Sequence, residues 1–134
     1  MKTVIVDYRE TASGKRGPSA IRPRTNGKFL QVRHDDTEYI LFSPREVTPY
    51  HSDLLERFCR ERGIKGSYDS KRKRYDIRES SWTVEGGGKF DIDTVRKYIR
   101  LYDNSMAYGK FDAAGLKDKV LLVKGLAGYR VMIE

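Results

Sequence analysis

The 134-residue chain has two histidines, and one of them sits where chemistry is readily arranged. His51 follows Thr48-Pro49-Tyr50 and falls in the first turn of a predicted helix, one turn before Leu54 and Leu55. Unpaired backbone N–H groups and the positive end of the helix dipole disfavour protonation of an imidazole placed there. A histidine kept neutral near pH 7 can act as nucleophile or general base, and the same N–H groups attract an anion. The plainer alternative is a histidine that only hydrogen-bonds at a helix start. A second candidate is Ser105-Met106-Ala107-Tyr108-Gly109. A small-residue loop leaving a strand can turn successive N–H groups toward one phosphate, although most such turns hold no ligand.

The other reactive residue types offer less. Arg33-His34 at a strand end is similar to a pair in the large histidine phosphatase superfamily, but Asp35 stands where that pattern has glycine. His34 therefore reads as a surface residue. Cys59, the single cysteine, lacks the downstream arginine of cysteine phosphatases and lies on an apolar helix face, which predicts core. One cysteine also excludes an internal disulfide and a thiolate zinc cluster. Gly86-Gly87-Gly88 has no Walker-type lysine spacing and reads first as a bulge or bend.

These residues need elements to hold them. Residues 2–8 alternate as a strand, and 9–27 read as a basic, glycine- and proline-containing loop ending in the turn signal Asn26-Gly27. Lys28–Arg33 and Glu38–Phe42 flank Asp35-Asp36-Thr37 as a hairpin. Thr48 is the expected helix cap and Gly63 the stop, with Leu54, Leu55, Phe58 and Cys59 on one face. Residues 64–85 predict two short strands around the Ser70–Arg74 turn, the second running toward Val84, where the glycine triplet interrupts it. Val95–Tyr102 predicts the next strand and Ala113–Lys124 a second helix, with Val120–Val123 a strand in the alternative. Tyr129–Ile133 predicts a closing strand. The expected fold is α+β: a single domain over 1–134, with a mixed sheet of about six strands and two helices packed on it.

Composition narrows the partners. No apolar run approaches the roughly 20 residues that span a bilayer, and the N-terminal residues do not read as a signal peptide. The expectation is a cytoplasmic protein with no membrane partner. Net charge is +8, and residues 57–78 carry +6 of it, nine Lys/Arg against three Asp/Glu. That stretch is either a solvated helix end and hairpin or a contact surface for acidic or phosphate-rich partners, with Lys71, Arg72, Lys73 and Arg74 at its centre.

Taken together, Tyr50-His51-x-Asp53, Gly86-Gly87-Gly88-Lys89 and Tyr102-x-x-Ser105-Met106-Ala107-Tyr108-Gly109 resemble the Janus/Ocnus family over about residues 28–133. Its characterised members are small, metal-independent protein phosphohistidine phosphatases. The resemblance implies a catalytic His51 with Tyr50 beside it and a phosphate-binding Lys28. It also implies a phosphate-cradling loop made by Ser105 (hydroxyl and backbone), Met106 and Ala107. Lys89 stands where the animal proteins have an arginine after the triplet. The implied substrate is a phosphorylated protein or small phosphoramidate, with no metal and no cofactor. Residues 65–80 depart from the family as a hairpin insertion, and 1–27 as an extra N-terminal strand and basic loop. Two other functions fit the same residues. One is a nucleic-acid-binding or ribonucleoprotein accessory module using the basic 57–78 stretch with Tyr68, Tyr75 and Trp82. The other is a phosphate-sensing domain without turnover.

Overall fold

Alternation along the strands sends apolar side chains to two faces of one sheet, and each face is covered by a helix. The computed structural model describes residues 2–9 and 24–134. Its elements run β1 (Lys2–Asp7), β2 (Arg24–His34), β3 (Thr37–Pro44), α1 (His51–Arg62), β4 (Gly66–Asp69), β5 (Arg74–Ile77), β6 (Trp82–Asp93), β7 (Tyr98–Tyr102), α2 (Leu116–Val120) and β8 (Arg130–Ile133). Six strands form a mixed sheet in the order β1-β3-β2-β6-β7-β8, while β4 and β5 pair separately as a hairpin. The outer pairs, β1 with β3 and β7 with β8, are parallel, and the inner pairs are antiparallel. The fold is α+β with a six-stranded mixed sheet, as the sequence predicts. Among the described residues no helix is long and apolar enough to cross a membrane.

On one face Leu30, Val32 and Leu41 meet Leu54, Leu55, Phe58 and Cys59 of α1, all fully buried. On the other, Phe29, Ile40, Phe42, Phe90, Ile92, Ile99 and Leu101 meet Leu116 and Val120 of α2. Burying each large side chain contributes about 1.5–3 kcal/mol. Leu54 and Leu55 thereby fix the first turn of α1 against the sheet, which sets where His51 must lie.

Several expectations are corrected. Thr48 does not cap α1: it is buried and its hydroxyl bonds the Ser43 hydroxyl at the end of β3. The cap position falls on Tyr50, whose N–H donates to the Asp53 carboxylate at 3.2 Å, so the helix begins at His51 itself. Gly63 ends the helix as expected, in the left-handed conformation that glycine adopts without steric penalty. Asn26-Gly27 is not a turn but part of β2, where Gly27 faces Pro44 of β3. The basic loop predicted over 9–27 lies mostly outside the described residues.

The glycine triplet does not interrupt a strand either. β6 runs through it, with Gly86, Gly87 and Gly88 paired to Gln31, Leu30 and Phe29, and the irregularity falls one residue earlier at Glu85. β7 starts at Tyr98 rather than Val95, because the Asp93 carboxylate accepts the N–H groups of Val95 and Arg96 and turns the chain there. α2 is shorter than the predicted 113–124. Gly115 and Gly125 stand at positive φ on either side, and five helical residues suffice to bury Leu116 and Val120. The strand alternative for 120–123 does not form.

Candidate functional site

The site begins with the register of β2 and β6. Lys28 and Lys89 are direct cross-strand partners, so their side chains leave the same face of the sheet side by side. Like charges placed directly opposite are destabilising. Burial and the charges of Lys89 and Arg45 hold the Lys28 ammonium below its ordinary pKa, with Asp103 opposing them. Lys89 has a partner in Asp103, 2.9 Å away, and this contact together with the Asn104 N–H holds the Asp103 carboxyl below its usual range.

The next pair on the same face of the sheet is Leu30 and Gly87. Gly87 leaves the gap into which the His51 imidazole fits. A Cβ at position 87 would lie 2.5 Å from the Phe29 carbonyl oxygen and 2.9 Å from His51 Cδ2. Gly88 serves the opposite face in the same way, where a Cβ would press on the Phe111 ring at 2.8 Å. At Gly86 the φ of 150° and a Lys110 carbonyl 2.2 Å from the would-be Cβ exclude any other residue. Three consecutive glycines in a strand thus mark close approach from both sides. Gly87→Ala is expected to lower stability by about 1–3 kcal/mol, the range for overpacking a closed site. Urea unfolding measures that loss, and the imidazole resonances of His51 report its displacement.

His51 is only 7% exposed, and its Nε2 lies 2.9 Å from the Gly88 carbonyl oxygen. A carbonyl only accepts, so Nε2 carries the proton and the lone pair is on Nδ1. Burial pushes the pKa down to about 4, the bond to Gly88 opposes this, and the charges of Lys28 and Lys89 lower it further. The sequence attributes neutrality to the helix terminus and nearby cations; burial leads, with the two lysines behind it.

Across from His51 the loop after β7 closes on itself. The Ser105 N–H donates to the Gly109 carbonyl at 3.1 Å and the Gly109 N–H returns to Ser105 at 2.8 Å. The backbone N–H of Ser105 is therefore committed, contrary to expectation. Its buried hydroxyl accepts the Tyr108 N–H at 3.1 Å and keeps its own proton to donate. The N–H groups of Met106 and Ala107 make no hydrogen bond within the described residues. The Gly87 N–H donates to Gly109 at 3.1 Å, which moors the loop to β6.

Lys28, Tyr50, His51, Lys89, Ser105, Met106 and Ala107 all line one open depression of about 760 Å³. Every residue singled out as a phosphate contact is thus brought together. The chain matches no protein-family model and no curated protein. The depression itself must carry the functional argument.

The basic hairpin divides. Arg72 and Lys73 line the same depression as His51, whereas Lys71 borders a separate hollow with Ser67 and Arg78. Arg74 turns inward, to the Asp76 carboxylate at 2.8 Å and the Ala107 carbonyl at 3.5 Å. Of the three aromatics beside these cations, Tyr75 is buried and Trp82 stacks on His34 and packs against Phe58, leaving Tyr68 exposed. Cys59 is core, with its thiol pushed up to about 11 by burial.

Sequence reasoning missed Ser52, Asp103 and Asn104 in the lining and the role of Tyr108, and named Tyr68 only for a nucleic-acid surface. The Tyr108 hydroxyl accepts the Tyr75 N–H at 3.1 Å and donates to the Tyr75 carbonyl at 2.5 Å, joining the loop to β5. An Asp-Asn pair just before Ser105 was a legible signal, since such residues tolerate left-handed turns, and Asp103 has φ 65°. Nothing local announces the Tyr108 contact.

Proposed function

We propose that the protein is a metal-independent phosphatase of phosphoramidate bonds, phosphohistidine among them, with His51 as the catalytic residue. One observation carries the reading: a neutral imidazole with its proton pinned on Nε2 lies in one depression with two adjacent lysines and a loop bearing open N–H groups. Lys28, Lys89, the Ser105 hydroxyl and the N–H groups of Met106 and Ala107 would hold the three phosphoryl oxygens. A dianion there relieves the Lys28–Lys89 repulsion. It also offsets the charges that depress His51, so substrate raises the imidazole basicity toward the working pH.

In hydrolysis, a water oxygen bonds to phosphorus as the P–N bond breaks. Nδ1 of His51 takes a water proton, and the leaving nitrogen keeps the bonding pair and takes a proton from the resulting imidazolium or from solvent. In the two-step route Nδ1 itself bonds to phosphorus as the substrate P–N bond breaks, and the leaving nitrogen keeps that pair and takes a proton from solvent. Water then cleaves the phosphoenzyme P–N bond to give inorganic phosphate and free His51. Alkali-quenched single turnovers, which preserve the acid-labile P–N bond, separate the two, since only the second accumulates phosphorylated protein.

The test is ³¹P NMR of phosphoramidate with the purified protein and a chelator. Release of inorganic phosphate is expected, and no turnover on phosphoramidate or phosphohistidine overturns the reading. Lys28→Gln is expected to raise KM about tenfold, as loss of a hydrogen bond between charged groups costs about 1.5 kcal/mol or more. A pH titration of the His51 ring protons by ¹H NMR should show its pKa rising when phosphate is added.

A further inference from the structure

We propose that the β4–β5 hairpin is a specificity wall, and that Arg72 and Lys73 on it select phosphorylated peptide segments carrying a carboxylate side chain beside the phosphoryl group. The proposal deepens the phosphatase reading and rests on it.

The depression exceeds what one phosphoryl group fills, and its lining has two zones. Lys28, His51, Lys89 and residues 105–107 form one, at the sheet. Tyr68, Arg72 and Lys73, all on the hairpin, form the other, and Tyr50 lines the depression beside His51 at the start of α1. The second zone takes no part in the phosphoryl cradle, yet it is held firmly against it. Tyr108, in the loop itself, bonds the backbone of Tyr75 in both directions. The Tyr75 ring is buried among the α1-facing core residues and packs so tightly on Gly66 that a Cβ there would lie 2.5 Å from it. The hairpin is therefore a fixed wall and not a loose appendage.

Its charge chooses the occupant. Arg72 is exposed and reaches Asp69 only at 3.8 Å, and Lys73, exposed at a left-handed turn position, has no ion pair among the described residues. Two weakly engaged cations next to a phosphoryl site suit a second, singly charged anionic group on the same substrate. The exposed rings of Tyr50 and Tyr68 and the fully exposed Met106 side chain give apolar area for the backbone and stems of an extended segment. A nucleic acid is less well served, because Tyr75 is buried and Trp82 is already stacked on His34, so neither is presented to bases.

The experiment compares two phosphohistidine peptides of equal length, one with Glu and one with Gln beside the phosphohistidine, and free phosphoramidate. Wild type is expected to favour the Glu peptide in kcat/KM by about three- to tenfold at low ionic strength, the scale of two exposed ion pairs, and less in high salt. Arg72→Gln/Lys73→Gln is expected to treat both peptides alike and to keep the wild-type rate on phosphoramidate. Equal rates on both peptides for wild type, or a Glu preference that survives the double substitution, overturns the proposal while phosphoramidate turnover leaves the phosphatase reading standing. If wild type turns over no phosphoramidate, non-hydrolysable phosphonate analogues of the two peptides decide by binding. A Glu preference lost in the double variant supports the wall, and equal affinity overturns it. Single-stranded RNA binding more tightly than either peptide overturns it in favour of a nucleic-acid surface.

Discussion

His51→Asn is expected to lower phosphoramidate turnover by about a thousandfold, within the 10²–10⁴ span of general acid–base catalysis. The shorter amide occupies most of the gap above Gly87, so the fold is expected to persist, although its nitrogen stands in the place of Nδ1 and does not reach the Gly88 carbonyl that Nε2 meets. What it lacks is a basic lone pair, and it can neither take a proton from water nor bond to phosphorus. Lys28, Lys89 and the 105–107 loop are untouched, so affinity for inorganic phosphate should change by no more than about twofold, far less than removal of a cradle contact would give. The loss should thus appear in kcat and not in phosphate binding. Because burial holds His51 near a pKa of about 4 in the free protein, wild-type kcat/KM should rise with pH up to about 5 and stay level to 8. Full activity in the purified Asn variant would end the proposed role of His51.

The same burial sets the second large effect, on acid stability. His51 has an ordinary pKa of 6.5 and about 4 when folded, so below 6.5 the unfolded chain binds the proton that the folded protein refuses. Stability from this residue is complete above pH 6.5 and is lost as the pH falls toward 4. The gap corresponds to about 3 kcal/mol. Urea unfolding at pH 7 and at pH 4.5 should therefore show wild type losing about 2–3 kcal/mol more than His51→Asn across that interval. Parallel losses in the two proteins would mean that the imidazole is not held neutral by the fold. Saturating phosphate should reduce the difference, since a bound dianion favours the charged ring.

How the sequence relates to this outcome differs from residue to residue. Strand alternation and the spacing of Leu54, Leu55, Phe58 and Cys59 made the α1 face and the sheet legible, because burial of period-two and helical patterns is a local signal. The end of α1 was equally clear, since Gly63 meets a backbone need at one position. The start was not: Thr48 has the chemistry of a cap, but the Ser43 hydroxyl at the end of β3, five residues before it, claims it. The glycine triplet misled for the same reason. Read locally it breaks a strand, whereas its purpose is to let His51, Phe111 and Lys110 approach that strand from outside.

The identities of the site residues were determined by the sequence: an imidazole at a helix start, lysines in strands and a small-residue loop with few alternative uses. Their convergence was not, because it depends on β2–β6 register, which pairs Lys28 with Lys89 and sets Gly87 beneath His51. One further matter belonged to tertiary structure alone: the basic hairpin was turned so that Arg72 and Lys73 face the depression while Lys71 does not. The loss of the Ser105 N–H to the Gly109 carbonyl is by contrast a local closure within one loop. Chain-local chemistry specifies which groups exist and whether they prefer helix, strand or turn. Which of them share a pocket is decided by hydrogen bonds and packing between segments tens of residues apart, such as the Tyr108 hydroxyl on Tyr75, and no local pattern encodes those contacts.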